Sequence, residues 1–480
     1  MTGCAFKGGN AGRGGSILGN GRHAGIRVLG SKKVKLNFMK ITCFVTYVCI
    51  ALIAILAVIA FVFCLYRALL PLEIDPNEAW NAWHSHSINH LYPASEELIT
   101  NNYPPLYFYL MHGLSLLGFE VIYAGRIISI LAAVTLTLLV FRGVLILGMP
   151  KLAACVAAIW FAGTLAVAFT GYVGMNDPHL LGLAVMCGGF IWFMAREQRG
   201  RATEPAIFLM VLAGFIKHSI VAIPATAILW LAFANWRRAA RAAVFGITAC
   251  ALCLLICRAV YGSDFIVQLM LPREMTIKNA YLRLPPVQAL LPGVMIVTAW
   301  LLADRKNRLA GRIASLLLLT FANGFIQIFG EGVDVNAYFE FLFALALGLG
   351  VAFGEAPSIA ASIGLSAGGL RLVSIVLLLA GLSVSFPAEP YQLILSGSFR
   401  ADVAENVDAV KSEVKRIRAI RGKVSCSIML VCYWAGKPFV WDDFALTQRV
   451  ATGQWSKREL DRRRREGKIR FEKIDDRTNW

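Results

Sequence analysis

The chain of 480 residues is 58% hydrophobic and only 16% charged, which excludes an ordinary soluble protein because a core of this size could not bury so much apolar surface. The composition therefore predicts a protein that crosses a membrane several times. The formal net charge of +18 would suggest a nucleic-acid partner in a soluble chain, but the basic residues lie mostly in short clusters between apolar segments, as the positive-inside rule describes, so we expect no nucleic acid.

The first 40 residues are rich in Gly, Ser, Arg and Lys, which predicts a disordered basic tail in the cytoplasm. The apolar segment 41–65 is too long for a cleaved signal sequence and is typical of a signal anchor. Residues 41–387 are predicted to form a transmembrane domain of about eleven helices, with a large first outward loop at 67–125. The further predicted spans are 127–147, 152–169, 180–194, 206–215, 220–233, 242–256, 287–302, 313–329, 337–353 and 372–386.

Three basic clusters agree with this topology, because all of them fall on the cytoplasmic side if the N-terminus is cytoplasmic. The polar residues that are not basic gather in loops on the other, outward face. An odd number of spans places the C-terminal part of the chain outside as well. The clusters are Arg196/Arg199/Arg201, Arg237/Arg238/Arg241 and Arg305/Lys306/Arg308/Arg312.

Residues 388–480 are predicted to form a small α/β domain on the outer face. Apolar residues at helical spacing indicate a helix at 401–420, and the runs 425–434 and 469–474 are typical of strands. Cys426 and Cys432 lie six residues apart on the first of these runs, which would hold them too far apart to bond each other, so no disulfide is predicted.

The first outward loop carries two acids that could act in catalysis. Asp75, Pro76 and Glu78 have the spacing of a helix start, with an N-cap, a proline in the first turn and a capping-box acid. A carboxylate at the membrane surface could instead take the proton from a substrate hydroxyl, as a general base does. Asp177, before Pro178, has the same two interpretations, as the N-cap of a span or as a second catalytic acid.

Cations on the outward face could bind a phosphate group, since a fixed positive charge stabilises a departing anion. Snorkelling would explain Lys217 alone, but it is followed by His218 and both lie on the face that is otherwise poor in basic residues. The predicted phosphate-binding residues are Arg126, Lys217, His218 and Arg273, with Lys278 and Arg283 as further cations of the same loops.

His84, His86 and His90 suggest a metal site, but their spacing does not bring all three to one face of a helix. We therefore predict no metal. Trp80, Trp83 and Tyr92 are typical of aromatic residues at the depth of the lipid headgroups.

Several of these residues form motifs of a known family. DPNEAWNAWH at 75–84, NNYPPLYFYL at 101–110 and Arg126 resemble the first outward loop of the GT-C superfamily, the glycosyltransferases that use polyprenyl-phosphate sugars, among them bacterial relatives of protein O-mannosyltransferases and lipid A aminoarabinose transferases. MNDPH at 175–179 resembles their second acidic loop, and CYWAGKPFVWDDF at 432–444 resembles the outer domain of a bacterial branch. The resemblance covers residues 41–450.

The resemblance implies an enzyme of the bacterial inner membrane that transfers a sugar from a polyprenyl-phosphate donor to an acceptor hydroxyl on the periplasmic face, with inversion and without cofactor or divalent metal. The acceptor would be a glycan, a lipid or a protein. Members typically carry an adjacent Asp-Glu pair, whereas here Asn77 precedes Glu78 and the aspartate is Asp75, so the identity of the base stays open. The catalytic candidates are Asp75, Glu78 and Asp177, and the substrate-binding candidates are Asn102, Tyr103 and Asn176.

Two other classes of function are compatible with the residues. A lipid or sugar transporter could line its path with the same outward acids, but the sequence has no clear inverted repeat and its polar residues lie at the ends of the spans. A membrane scaffold would account for the outer domain and would leave the acidic loops without a role.

Overall fold

The computed structural model describes residues 24–305 and 307–475. Most of the predicted basic tail therefore lies outside the described residues, and its last part belongs to the first helix, which begins at Ala24. The helices as far as the last span are α1 (Ala24–Ala68), α2 (Asn77–His86), α3 (Leu106–Leu116), α4 (Val121–Ile146), α5 (Lys151–Ala168), α6 (Pro178–Gln198), α7 (Glu204–Gly214), α8 (Ala222–Ala234), α9 (Trp236–Tyr261), α10 (Asp264–Leu269), α11 (Ile277–Leu282), α12 (Leu284–Val287), α13 (Leu291–Ala303), α14 (Arg308–Gln327), α15 (Phe339–Gly354), α16 (Ala356–Ser362) and α17 (Ala367–Val384).

The protein is a multi-pass membrane protein. Among the described residues, eight helices are long and apolar enough to cross a bilayer: α1, α4, α5, α6, α9, α14, α15 and α17. Three shorter apolar helices, α7, α8 and α13, account for the remaining predicted spans. All eleven predicted apolar segments are thus helical, and the number of them that cross the membrane stays a prediction.

Helix α15 forms the centre of the membrane domain. Its sequence, FEFLFALALGLGVAFG, is apolar apart from Glu340, and all of its residues are buried except the partly buried Gly354. It packs against α4, α5, α13 and α14. Gly350 permits one of these contacts, because a Cβ atom there would lie 2.4 Å from a methyl group of Val144. Small residues allow membrane helices to approach in this way.

Helix α9 lies at the edge of the bundle, where most of its residues are exposed and most of the exposed ones are apolar, as expected for a surface covered by lipid. Between the spans, the outward loops carry the short helices α2, α3, α10 and α11.

The C-terminal part is a small α/β domain, as predicted. It consists of α18 (Glu389–Leu395), α19 (Gly397–Ala419), β1 (Val424–Cys426), α20 (Met429–Trp434), α21 (Asp443–Ala451), α22 (Lys457–Glu466) and β2 (Arg470–Glu472). The two strands pair in parallel, with Val424 opposite Arg470. Val410, Val414 and Ile417 of α19 form one apolar cluster with Val424 and Cys426 of β1.

The prediction of one strand over 425–434 was wrong. Strand β1 ends at Cys426, and the chain turns into helix α20 at Met429. The turn brings the Cα atoms of Cys426 and Cys432 to 5.8 Å, and the two residues form a disulfide. The prediction that they could not bond was therefore also wrong, because it assumed an extended chain between them.

Buried polar contacts attach this domain to the first outward loop. The carboxylate of Asp442 accepts hydrogen bonds from Trp80 Nε1 at 3.1 Å and from Thr100 Oγ1 at 2.7 Å. Glu73, which is 2% exposed, accepts the backbone N–H of Leu430 at 2.7 Å. Asp442 belongs to the domain and Glu73 to the loop, and each carboxyl group binds donors on the other side, so the domain has a defined position over the loop.

Candidate functional site

A cavity of about 1200 Å³ lies between the outward loops and the C-terminal domain. This volume is somewhat above the range of roughly 300–1,000 Å³ that is usual for small-molecule sites. Each side contributes about half of the lining. The membrane side includes Asp75, Trp80, Asn102, Tyr103, Arg273 and Lys278, and the domain side includes Ser425, Trp441, Asp442, Asp443, Phe444, Arg449 and Phe471.

Asp75 is the predicted catalytic acid that lines this cavity. Its Oδ1 atom accepts the N–H of Asn77 at 2.8 Å, so Asp75 does help to start α2, and no other donor contacts its carboxylate among the described residues. Burial raises the pKa of Asp75 to about 6, and the nearby carboxylates of Asp177 and Glu78 contribute to the increase. Near neutral pH it is thus a carboxylate with an unused oxygen on the cavity wall.

Glu78 and Arg126 form a buried ion pair. Both side chains are fully buried, and the guanidinium donates from Nε to Oε1 at 2.7 Å and from Nη2 to Oε2 at 2.6 Å. Arg126 also donates to the carbonyl oxygens of Leu70 and Leu72, each at 2.6 Å. Neither residue of the pair lines the cavity. Through these bonds, Arg126 near the start of α4 holds the segment of chain that follows α1 in place.

Asn176 completes this buried network. Its backbone N–H donates to Glu78 Oε1 at 3.1 Å, and its side-chain Oδ1 accepts the hydroxyl of Tyr107 at 2.6 Å. Gly125 is needed beside it, since a Cβ atom at that position would lie 1.8 Å from the amide oxygen of Asn176. Asn176 is fully buried and does not line the cavity, so the structure gives it contacts within the scaffold.

Asp177 caps helix α6, and its Oδ1 accepts the N–H of His179 at 2.8 Å. The residue is 5% exposed, and burial raises the pKa of its carboxyl while the charge of Lys217 opposes the increase. Lys217 is itself buried, and its Nζ lies 3.6 Å from the ring centroid of Tyr103. Tyr103 lines the cavity and Lys217 does not, so the ammonium group of Lys217 contacts a ring of the cavity wall without lining the cavity itself.

The other predicted cations differ in position. Arg273 and Lys278 line the cavity, and Arg273 is partly exposed. His218 is exposed, and desolvation, together with the charges of Lys217 and Arg273, lowers its pKa to about 4. It is therefore neutral at pH 7 and would act as a hydrogen-bonding group. Arg283 pairs with Asp334 at 2.9 Å.

The three histidines of the first loop point to different partners. His84 is buried among aromatic rings, and this burial lowers its pKa to about 3. His86 contacts the hydroxyl of Tyr433 at 3.0 Å, and His90 contacts Glu97 at 3.0 Å. In the described part of the chain, no group of three or more His, Cys, Asp or Glu side chains is arranged to hold a metal ion.

Sequence reasoning missed the domain side of the cavity. The residues WDDF at 441–444 supply Trp441, Asp442 and Phe444 to its wall. An acidic pair between two aromatic residues in a polar domain is the signal that the sequence offers for this wall. Residues 441–444 lie over the first loop because residues more than 300 positions apart in the chain contact each other, for example Asp442 and Thr100. The sequence alone does not reveal such contacts.

The comparisons with solved structures find proteins of similar fold. The fold is similar to that of ArnT, a lipid A aminoarabinose transferase, from Cupriavidus metallidurans, both bound to undecaprenyl phosphate and in the apo state, with a TM-score of 0.53 and 13% identity over 84% of this chain and 88% of that one. The expected GT-C resemblance is thereby confirmed for the fold.

A second match is the oligosaccharyltransferase AglB from Archaeoglobus fulgidus, in complex with an inhibitory peptide and a dolichol-phosphate, with a TM-score of 0.43 and 14% identity over 83% of this chain and 65% of that one. No protein-family model matches the sequence, and no curated protein matches it significantly.

Proposed function

We propose that the protein is a membrane glycosyltransferase that moves a sugar from a polyprenyl-phosphate donor to an acceptor hydroxyl on the outer face of the bacterial inner membrane. The observation that carries this proposal is Asp75, a carboxylate with a pKa of about 6 on the wall of a large cavity next to the membrane. A general base works best when its pKa lies near the working pH. The bound undecaprenyl phosphate of ArnT, which has the same fold, supports a polyprenyl-phosphate donor.

In the proposed reaction, Asp75 takes the proton of the acceptor hydroxyl as that oxygen attacks the anomeric carbon of the donor sugar. A new bond forms between this oxygen and the anomeric carbon, and the bond from the anomeric carbon to the phosphate oxygen breaks. The polyprenyl phosphate leaves with the electron pair. Attack opposite to the leaving group inverts the anomeric centre.

Arg273 and Lys278 are the cations that we assign to the departing phosphate, because both line the same cavity as Asp75. His218 could add a hydrogen bond. Lys217 would act from behind Tyr103, and Asn102 and Tyr103 would contact the substrate directly from the wall. Glu78, Arg126 and Asn176 are assigned to positioning, because their polar atoms already bind one another.

The proposed role of Asp177 is to keep the pKa of Asp75 near the pH at which the enzyme works. Its carboxylate is one of the charges that raise the pKa of Asp75, and its side chain does not line the cavity. We propose no metal or cofactor for the reaction.

The test is sugar transfer by the purified protein in liposomes, with lipid-linked sugars extracted from bacterial membranes as donors and a membrane fraction as acceptor. Asp75→Asn should lower the transfer rate by roughly 10²- to 10⁴-fold, the usual contribution of a general base. Glu331→Gln is the matched control, because Glu331 is an acid on the same cavity wall whose side chain makes no described hydrogen bond. Wild type that consumes no donor from any extract would contradict the proposal and favour a transporter.

A further inference from the structure

Beyond helix α18, the C-terminal domain exposes large apolar side chains only inside the cavity. Of the described residues 397–475, Phe444 is 42% exposed and Phe471 is 37% exposed, and no other large apolar side chain is exposed to this extent. Both rings line the cavity. Exposed apolar surface has a cost in water, and its restriction to one concave wall points to a ligand that covers it.

Both rings are held in place from one side. The guanidinium of Arg464 lies 4.0 Å from the ring centroid of Phe471, and that of Arg273 lies 5.6 Å from the ring centroid of Phe444. Gly332, whose φ is +73°, allows the chain to pass next to Phe444, since a Cβ atom there would lie 2.2 Å from the ring. The rings are therefore fixed before a ligand arrives, which lowers the entropic cost of binding.

Hydrogen-bonding groups lie on the same wall as the rings. Trp441 meets Phe471 edge-on at 5.2 Å and donates from Nε1 to a carboxylate oxygen of Asp443 at 3.2 Å. Asp443 also lines the cavity, together with the hydroxyl side chains of Ser425 and Thr447. Flat apolar faces with carboxylates and hydroxyls beside them match a sugar ring, which has an apolar face of C–H groups and a rim of hydroxyls.

The charges of this wall do not favour an anionic ligand. The domain contributes three acids to the lining, Asp442, Asp443 and Glu472, and two bases, Arg449 and Lys473. Arg449 is 4% exposed and donates to the carbonyl oxygen of Ser95, so its guanidinium is not accessible to bind an anionic ligand. The cations assigned to the donor phosphate belong to the membrane side, and one of them, Arg273, also contacts the Phe444 ring.

We propose that this wall of the cavity is the acceptor subsite and that it binds a carbohydrate, so that the acceptor is a sugar-bearing molecule. Phe444 and Phe471 would stack on sugar rings, and Asp443 would accept hydrogen bonds from their hydroxyls. The inference rests on the proposed function, because the hydroxyl that Asp75 deprotonates would belong to a sugar held across the cavity from it.

The test is direct binding to the full-length protein in detergent, measured by saturation-transfer difference NMR with maltotriose, cellotriose and triacetylchitotriose as probes. We expect saturation of the ring C–H protons of at least one probe. Phe444→Ala combined with Phe471→Ala should weaken that binding by roughly ten- to a hundredfold, since each aromatic contact contributes on the order of a factor of three to ten. A glutamate tripeptide should receive no saturation.

Tyr391→Ala is the matched control, because Tyr391 of α18 is also 42% exposed and does not line the cavity. This variant should bind the probe as wild type does. The inference is overturned if none of the three sugars binds wild type, if the double variant binds as well as wild type, or if the peptide binds and the sugars do not. Donor consumption is measured separately on the same preparations, so a protein that binds sugars and consumes no donor contradicts the proposed function alone.

Discussion

At the scale of single residues, Asp75 and Glu78 are equivalent in the sequence and differ in the structure. Both lie at the start of α2, but Glu78 is neutralised by Arg126, which is 48 positions further along the chain. The sequence could predict that the outward loop holds acids, because a bilayer excludes them. It could not predict which acid would be paired, since a pKa depends on partners that only the folded chain brings together.

Glu78→Gln should therefore act on stability. Removing one partner of a buried ion pair leaves the charge of Arg126 uncompensated, which costs about 3–5 kcal/mol. We expect a clearly lower thermal melting temperature for this variant in detergent. Asp75→Asn should change the melting temperature little, because an asparagine oxygen can still accept the N–H of Asn77. A Glu78→Gln protein that melts like wild type and yet transfers no sugar would make Glu78 the base.

At the scale of elements, the C-terminal domain departs most from the prediction. The helix near 401–420 and the strand near 470 could be predicted from their apolar patterns, and α19 and β2 lie there. Helix α20 could not, because SIMLVC has the composition of a strand. In the structure, Glu73 binds the backbone N–H of Leu430 in the first turn of α20, so a contact from another part of the chain helps to start this helix.

Burial raises the pKa of Glu73 to about 8, and this predicts a pH effect on stability. Between the ordinary pKa of about 4.5 and pH 8, the folded protein keeps a proton that the unfolded chain releases, so wild type should lose stability as pH rises through this window. Glu73→Gln removes this loss and keeps an acceptor for Leu430. Relative to wild type, the free energy of unfolding of this variant should increase by on the order of a few kcal/mol between pH 5 and pH 8.5.

The measurement is the melting temperature of both proteins across this pH range. Glu274→Gln is the control, since Glu274 is an exposed acid at the cavity and should follow wild type at each pH. If the melting temperatures of Glu73→Gln and wild type change with pH in the same way, the fold does not hold Glu73 in its protonated form.

At the scale of the whole molecule, the sequence predicted the helical membrane domain well. Each of the eleven apolar segments is a helix, because composition alone marks a segment for the bilayer and a segment there must satisfy its own backbone hydrogen bonds. The cavity could not be predicted in this way. Its two walls belong to parts of the chain as distant as Asp75 and Phe471, and no local pattern connects them.

The side of the membrane on which the C-terminal domain lies can be tested by chemical labelling of introduced cysteines. Disulfides persist in oxidising compartments, so the Cys426–Cys432 disulfide supports a C-terminal domain outside the cytoplasm. A cysteine in place of the exposed Lys415 of α19 should react with a membrane-impermeant maleimide in cells whose outer membrane is permeabilised. A cysteine in place of the exposed Arg199, after α6, should react only after lysis. The reverse pattern would invert the topology and place the cavity in the cytoplasm.

The pH dependence of sugar transfer tests the central claim most directly. A base with a raised pKa of about 6 must lose its proton before it can act, so the wild-type rate in liposomes should rise as pH increases through about 6 and then level off. Asp75→Asn should be slower by orders of magnitude and should lack this rise. If Asp75→Asn instead transfers sugar at the wild-type rate with the same rise near pH 6, Asp75 is not the base and the account of the site is wrong.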